Sequence, residues 1–254
     1  MSKDLFNKKQ PPYICVPITG KTDTEIFAQL EEILQHAPDL IEWRADFFEH
    51  LQDEESTINI VHKIKEKANI PLLFTIRAEH EGGEKITLSD DEKVNIITKI
   101  CRETAVDIVD FETSNERRFV EAVRDAASES KKQLILSYHN FTETPDNEAL
   151  IDRAKQAETL GANMIKLAVM PKSKADVFRL LEITRKIDEM FHLPIITMSM
   201  GEIGKLSRII GWAFGSIVTF GVGVESSAPG QINVEKLRHA INSTQQLVPS
   251  WYEQ

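Results

Sequence analysis

The sequence predicts a single-domain α/β fold, a (β/α)₈ TIM barrel in which eight parallel strands alternate with eight helices. Eight short apolar runs recur along the 254 residues, and a segment with apolar residues at helical spacing follows each one. The runs are apolar on both faces, which is typical of parallel strands covered by helices. No linker-like tract divides the chain, so we expect one domain over residues 1–254, with residues 1–12 as a short N-terminal lead.

Four strand-helix units are predicted in the first half of the chain. Two capping boxes, Thr22-Asp23-Thr24-Glu25 and Ser89-Asp90-Asp91-Glu92, mark the start of the first and third helices. The second and fourth helices are expected over about Glu54–Lys67 and Glu116–Ser128. The strands that precede the four helices are Tyr13–Ile18, Leu40–Asp46, Pro71–Arg77 and Val106–Glu112.

The second half of the chain repeats the pattern. Its predicted strands are Gln133–His139, Asn163–Val169, Pro194–Met200 and Ser216–Gly221. Thr144-Pro145 is expected to open the fifth helix with proline at the first helical position, and Ser173-Lys174-Ala175-Asp176 to cap the sixth. The last two helices cover about Ile203–Ala213 and Val234–Leu247. An open doubly wound sheet is the closest alternative fold, but no GxGxxG follows the first strand.

Composition points to small-molecule chemistry. The net charge of −10 repels nucleic acid and anionic membranes, so neither is an expected partner. The sequence has no apolar stretch that could span a bilayer and no signal peptide at its start, so we expect a cytoplasmic protein. Cys15 and Cys101 show no metal-ligand spacing and are expected to be reduced packing residues, without a structural metal.

Lys166 lies in the middle of the sixth predicted strand, within the apolar run Asn163–Val169. Moving an ammonium group out of water is costly, so a buried site must supply a counter-charge or favour the neutral amine. A neutral amine is a nucleophile towards carbonyl carbons. The alternative interpretation is a lysine whose stem is buried while its charged end reaches water or a carboxylate.

Polar residues recur at the predicted strand ends, where a (β/α)₈ barrel places its active site. Alternation along the second strand puts Glu42, Arg44 and Asp46 on one face. The other polar positions near strand ends are Arg77, Asp110, Glu112 and His139. Any one of them could be a structural ion pair or hydrogen bond, but together they favour a binding or catalytic site.

His139 ends the strand that precedes the lysine strand, and neighbouring strands lie about 4.8 Å apart. An amine beside a titratable base, with arginines close by, indicates imine chemistry on a carbonyl compound that also carries a carboxylate. The imine acidifies the neighbouring C–H bond. The imidazole then removes that proton and can later donate it to a leaving group.

Two more features lie near the C-terminus. Arg208, in Lys205-Leu206-Ser207-Arg208, is a third candidate arginine. The glycine-rich segment Gly221–Gln231 has the composition of a closing lid, with a phosphate cradle or plain turns as alternatives.

These residues together resemble the type I 3-dehydroquinate dehydratase (3-dehydroquinase) family across almost the whole chain. The matching segments are Glu42-Trp43-Arg44-Ala45-Asp46, Arg77 with Glu81-Gly82-Gly83, Ser137-Tyr138-His139-Asn140-Phe141, Ile165-Lys166-Leu167-Ala168, Met198 to Arg208, and Ser227-Ala228-Pro229-Gly230-Gln231. The resemblance implies a lyase of the shikimate pathway. It implies that 3-dehydroquinate is dehydrated to 3-dehydroshikimate through a lysine Schiff base and syn elimination, without a metal or organic cofactor.

The resemblance also implies roles for individual residues. Lys166 forms the imine, His139 is the general base and then acid, and Glu81 orients His139. Substrate-binding roles fall to Glu42, Arg44 and Arg77, which hold the hydroxyls and ring, and to Arg208, Ser227 and Gln231, which hold and close over the carboxylate. Asp110 and Glu112 match polar family positions, to which we assign only a supporting electrostatic role.

One departure from the family concerns the N-terminus. Many members carry an N-terminal hairpin that plugs the barrel bottom, whereas about ten residues precede the first strand here. Similar enzymes are often homodimers, so a homodimer is expected. Two other functions stay open on the residues alone: a class I aldolase that uses Lys166 on phosphorylated sugars, and a non-catalytic carboxylate-binding barrel.

Overall fold

The computed structural model describes residues 12–248 and confirms the predicted barrel. Its strands are β1 (Tyr13–Ile18), β2 (Leu40–Arg44), β3 (Leu72–Thr75), β4 (Ile108–Glu112), β5 (Gln133–Asn140), β6 (Met164–Val169), β7 (Ile195–Ser199), β8 (Val218–Val222) and the short β9 (Ile232–Asn233). Its helices are α1 (Asp23–Gln35), α2 (Glu54–Lys67), α3 (Asp90–Glu103), α4 (Arg117–Glu129), α5 (Asn147–Thr159), α6 (Lys174–Met190), α7 (Gly201–Ile210) and α8 (Val234–Leu247). Within residues 12–248, every helix is too short or too polar to cross a membrane.

Neighbouring strands are parallel throughout, in the order β7-β6-β5-β4-β3-β2-β1-β8-β9. The ring closes between β7 and the segment before β8 through a single bridge from Ile195 to Ser216. The Ser216 hydroxyl accepts a hydrogen bond from the Thr197 backbone at 3.0 Å, so a side chain takes part in the closure. Strand β8 begins at Val218 and not at the predicted Ser216, which forms only this isolated bridge.

Helix capping agrees with the sequence at two predicted boxes and differs elsewhere. Ser89 and Ser173 both form complete capping boxes. Thr22 caps α1, but the Glu25 carboxylate accepts from the backbone of Lys21 and not from that of Thr22.

The prediction that Thr144-Pro145 opens the fifth helix is wrong. The helix begins at Asn147, and the Asp146 side chain accepts a hydrogen bond from Ala149 N at 2.8 Å. Aspartate is a strong N-cap residue, and this local bond outweighs the preference of proline for the first helical position. Pro145 therefore lies in the loop before the helix.

The barrel interior is apolar near the amino ends of the strands and charged near their carboxyl ends. The side chains of Tyr13, Leu40, Ile108, Met164 and Val218 belong to one apolar cluster. Because side chains alternate along a strand, the next inward positions are two residues further along, and they carry Glu42, Asp110 and Lys166. The predicted N-terminal lead lies outside the described residues except for Pro12.

Candidate active site

A cavity opens at the carboxyl ends of the strands. All nine residues predicted for catalysis and substrate binding line it: Glu42, Arg44, Arg77, Glu81, His139, Lys166, Arg208, Ser227 and Gln231. The remaining wall is largely apolar and includes Phe141, Met198, Met200 and Phe220. Such a mixture of apolar wall and a few converging polar groups is typical of small-molecule sites.

Lys166 is 4% exposed and is surrounded by acidic groups and one aromatic ring. Its Nζ lies 3.0 Å from Asp110 Oδ2 and 3.8 Å from Glu42 Oε1. It also lies 4.6 Å from the centre of the Phe220 ring. The structure therefore supplies the counter-charge that burial of an ammonium group requires, and it keeps the amine at the cavity wall.

Arg77 joins the two carboxylates of β4. Its guanidinium lies 2.7 Å from Asp110 Oδ1 and 2.9 Å from Glu112 Oε1, and it donates to Ser137 Oγ at 2.8 Å. On the far side, Lys93 of α3 lies 2.9 Å from Glu112 Oε2. Arg77 also lines the cavity, and its Nη1 donates two hydrogen bonds within the protein, to Glu112 and Ser137.

These contacts change the ionisation of the acidic groups. Burial opposes the charge of Glu112, but Arg77 and Lys93 outweigh it and lower the pKa of Glu112 to about 2. Burial likewise opposes the charge of Asp110, and Arg77 and Lys166 hold the pKa of Asp110 below its ordinary range. Both groups are therefore carboxylates at neutral pH.

His139 and Glu81 form a hydrogen-bonded pair at the cavity wall. Glu81 Oε2 accepts from the backbone N–H of His139 and lies 2.9 Å from its Nδ1, while Glu81 Oε1 accepts from Ser114 Oγ at 2.7 Å. Because a carboxylate only accepts, Nδ1 carries the hydrogen, and Nε2 keeps a lone pair. Burial, and then the positive charges of Arg77 and Lys166, lower the pKa of His139 well below its ordinary value of 6.5, so the imidazole is neutral at pH 7.

The register of β5 and β6 sets the relative height of the base and the amine. Ser137 pairs with Lys166, and His139 pairs with Ala168. His139 thus lies two residues further toward the carboxyl end than a residue level with Lys166. The imidazole is therefore nearer the carboxyl ends of the strands than the amine is, beside the space that a substrate bonded to the amine would fill.

Arg44 is held by Asp46. The guanidinium donates two hydrogen bonds to the Asp46 carboxylate, at 2.8 and 2.7 Å. Strand β2 ends at Arg44, and Asp46 lies on a short 3-10 helix, so the predicted extended alternation stops before Asp46. The structural ion pair that is the alternative for such a residue is present, and Arg44 also lines the cavity.

Arg208 differs from the other two arginines because no carboxylate of residues 12–248 forms an ion pair with it. Only 1% of it is exposed, and its Nη atoms donate to the carbonyl oxygens of Phe220 and Pro229 at 3.4 and 3.1 Å. Its buried Nε has no hydrogen-bond partner among the described residues. Burial lowers the pKa of Arg208 to about 10, which still leaves a cation at neutral pH. This guanidinium is suited to a carboxylate of a ligand.

The loop between β8 and β9 contributes Ser227, Ala228 and Gln231 to the cavity wall. Gln231 accepts from the Ser227 backbone at 3.0 Å and donates to the Ser227 hydroxyl at 3.1 Å, which ties the two predicted lid residues together. Pro229 O accepts from Gly201 N at 3.1 Å, so the loop rests on the start of α7. Gly230 has a φ of +78°, and a Cβ there would lie 2.2 Å from Gly201 O, so the close approach requires glycine.

Three residues near the site were missed by the sequence analysis: Lys93, Ser114 and Phe220. Lys93 is buried on α3, and its helical spacing to Ile96, Ile97 and Ile100 places it on an apolar helix face. A charged residue on such a face is unusual, so the sequence contained a signal for Lys93. Ser114 and Phe220 carry no comparable sequence signal, because their roles depend on contacts with Glu81 and Lys166 across the fold.

We predict that the Glu112 charge makes the protein sensitive to acid. Its ordinary pKa is 4.5 and its native pKa is about 2, so between these values the unfolded chain binds a proton that the native protein does not. The free energy of unfolding should therefore fall as pH falls, with a contribution from Glu112 of roughly 3 kcal/mol above pH 5 that is lost towards pH 2. Urea unfolding of the wild type and Glu112→Gln across this range measures it.

The pH profiles of wild type and Glu112→Gln must be compared, because Glu81 also contributes to the pH dependence. Burial raises the pKa of Glu81, so its contribution to stability has the opposite sign. The substitution should make the pH dependence of unfolding shallower. Parallel profiles for wild type and variant would contradict the assigned role of Glu112.

Comparison with known proteins agrees with this geometry. Residues 14–248 match the family model "Type I 3-dehydroquinase". A 3-dehydroquinate dehydratase of Albidiferax ferrireducens is 46% identical over 93% of this chain and 92% of its own length. The crystal structure of the Geobacillus kaustophilus enzyme superposes with a TM-score of 0.91 at 42% identity, covering 93% of this chain and 92% of that one.

A second solved relative is the type I 3-dehydroquinate dehydratase of Clostridium difficile, determined with covalently modified comenic acid. It has a TM-score of 0.89 and 36% identity, with 94% of each chain covered. Fold and sequence both point to one family. The chain belongs to the type I 3-dehydroquinases.

Proposed function

We propose that this enzyme dehydrates 3-dehydroquinate to 3-dehydroshikimate through a Schiff base on Lys166, with His139 as the proton-transfer group. The observation that carries the proposal is the placement of a buried amine and a neutral imidazole, itself held by Glu81, in the wall of one cavity. Family membership supports the overall reaction. The covalent step and the residue roles are our proposal.

The chemistry follows from the two groups. The neutral Lys166 amine attacks the ketone carbon, and the adduct takes up a proton from solvent and loses water to give a protonated imine. Nε2 of His139 removes a proton from the carbon next to the imine, and the electron pair of that C–H bond forms an enamine. The enamine then expels the hydroxyl group on the following carbon, which takes the proton from His139 and leaves as water. Hydrolysis of the imine releases the product and restores the lysine.

Glu81 makes this exchange possible by fixing the imidazole. The Nδ1–H bond to Glu81 holds Nε2 as the free acceptor, and the carboxylate stabilises the positive charge that His139 gains when it takes the proton. The nearby Asp110 and Glu42 carboxylates stabilise the positive charge of the imine in the same way.

Arg208 is proposed to bind the substrate carboxylate, with Ser227 and Gln231 closing over it. The buried guanidinium has no carboxylate partner among residues 12–248, so an anionic ligand would neutralise it. The Clostridium difficile relative was determined with covalently modified comenic acid, which supports a covalent step in this proposal. Arg44 and Arg77 are proposed to border the hydroxyl and ring side of the substrate while their carboxylate partners hold them in place.

The experiment that tests the proposal is borohydride trapping with 3-dehydroquinate, followed by peptide mass analysis. A reduced adduct on Lys166 would support the imine and the substrate together. The absence of an adduct on any lysine, with turnover intact, would refute the Schiff-base mechanism. Inorganic phosphate serves as a control, since an aldolase for phosphorylated sugars would be inhibited by it and this enzyme should not be.

We predict that Arg208→Lys raises KM for 3-dehydroquinate about tenfold or more while kcat changes less. Lysine keeps the charge but loses the planar two-point contact with a carboxylate. Steady-state kinetics measure the effect, and Arg238→Lys, which alters an arginine paired with Asp39 on the helical exterior, is the matched control. An unchanged KM in Arg208→Lys would remove Arg208 from the carboxylate-binding role.

The homodimer, the cytoplasmic location and a single domain over all of residues 1–254 stay predictions. Sedimentation analysis of the purified chain tests the first. Helices α6 and α7 expose the large apolar side chains of Phe178, Ile203 and Leu206, as a contact with a second copy would require.

A further inference from the structure

Six buried charges of alternating sign run from the helical layer into the cavity. In order they are Lys93, Glu112, Arg77, Asp110, Lys166 and Glu42, and each contacts the next at 2.7 to 3.8 Å. All six residues are at most 5% exposed. With every group ionised, three positive and three negative charges cancel, so the row is neutral when Lys166 is protonated.

Lys93 is the outer end of this row and does not line the cavity. It reaches Glu112 from α3, with its Nζ 5.2 Å from the centre of the Phe111 ring. Glu112 also accepts from Arg77, from the Ala78 backbone and from Asn115. Glu112 therefore has enough hydrogen-bond donors without Lys93. What Lys93 adds is a positive charge.

We propose that Lys93 is a positioning residue that, through the Glu112–Arg77–Asp110 row, sets how readily Lys166 gives up its proton. A nucleophilic amine must be unprotonated, and deprotonation leaves the row with a net charge of −1. Without Lys93 the row would carry that −1 before the proton leaves and −2 afterwards. The loss of the proton would therefore become harder. The catalytic meaning of this effect rests on the proposed function, in which Lys166 is the nucleophile.

Several other groups face Lys166. Glu42 of β2, Asp110 of β4 and Phe220 of β8 contact it directly. Arg77 contacts the same Asp110 carboxylate, and His139 interacts with Lys166 at longer range. Cys15 of β1 is also close, but burial raises the pKa of its thiol well above the ordinary value, so it adds no charge. None of these groups changes in the variants below.

The test measures the pH at which half of Lys166 becomes reactive, by trace acetylation with acetic anhydride and peptide mass analysis of the free enzyme. Lys93→Met should raise this midpoint by about one pH unit. At any pH well below the midpoint, the variant would then hold about tenfold less neutral amine than the wild type. Glu112→Gln removes a negative charge and should move it down by a similar amount. The double variant restores a neutral row and should return close to the wild type.

Two further variants separate charge from structure. Lys93→Arg keeps the charge and should leave the midpoint in place. Lys99→Met makes the same charge change at a half-buried position of α3, where Lys99 pairs with Glu54 outside the row, and should have no effect. If Lys93→Met does not fold, the downward shift in Glu112→Gln and the unchanged midpoint in Lys93→Arg still test the proposal.

The inference would be overturned if wild type and Lys93→Met had the same midpoint. It would also be overturned if Lys93→Met and Glu112→Gln shifted the midpoint in the same direction. A merely structural role for Lys93 predicts no opposite shifts and no recovery in the double variant. The labelling uses no substrate, so it is independent of the dehydratase assignment. A borohydride adduct on another lysine would refute the proposed function while leaving this result intact.

Discussion

Lys166→Ala is expected to abolish dehydration of 3-dehydroquinate and to remove the borohydride-trapped adduct. The reason is that the amine is a reactant and not only a binding group, so no neighbouring side chain can substitute for it. Turnover measured by the appearance of product, together with intact-protein mass after borohydride treatment, gives the two readouts. Both should fall below detection in the variant.

The substitution should leave the fold in place. Asp110 loses Lys166 but keeps Arg77 at 2.7 Å and the Ser137 hydroxyl at 2.6 Å, so its charge remains compensated. Lys172→Ala is the matched control, because Lys172 lies in the loop after the same strand and is exposed beside Glu143. Turnover by a folded Lys166→Ala protein would eliminate the Schiff base on this residue.

The fold was largely predictable because the signals for it are local. Buried strands are short apolar runs, and helices are marked by their caps and apolar spacing, so α2 and α8 begin and end where predicted. Strand ends were less predictable. Strand β2 stops at Arg44 because the chain turns into a 3-10 helix that brings Asp46 back to the guanidinium, and this ion pair is a tertiary contact.

The position of site residues was also predictable, but their ionic partners were not. Side-chain alternation and the rule for barrel active sites place polar residues of strand ends in one cavity. Arg77 and Arg208 look equivalent in the sequence, yet Arg77 is held between two carboxylates and Arg208 has none among residues 12–248. That difference depends on which loops and strands meet across the barrel.

His139→Ala is expected to lower kcat by roughly 10²- to 10⁴-fold, the usual range for loss of a general acid-base group. Imine formation needs the amine and not the imidazole, so the variant should still form the borohydride-trapped adduct on Lys166. Because proton removal from the imine becomes slow, the adduct should accumulate to a larger fraction of the enzyme than in the wild type. Single-turnover kinetics with timed trapping measure both quantities.

The Glu81→Gln variant extends the same test to the group that holds the imidazole. Glutamine can still bond to Nδ1 but carries no charge, so it should stabilise the imidazolium less and give a smaller loss in kcat than His139→Ala. His50→Ala, which alters an exposed histidine outside the cavity, is the control and should behave as the wild type. If His139→Ala lost the adduct as well as the turnover, His139 would be needed for imine formation itself. The proposal that His139 acts only in proton transfer after that step would then be wrong.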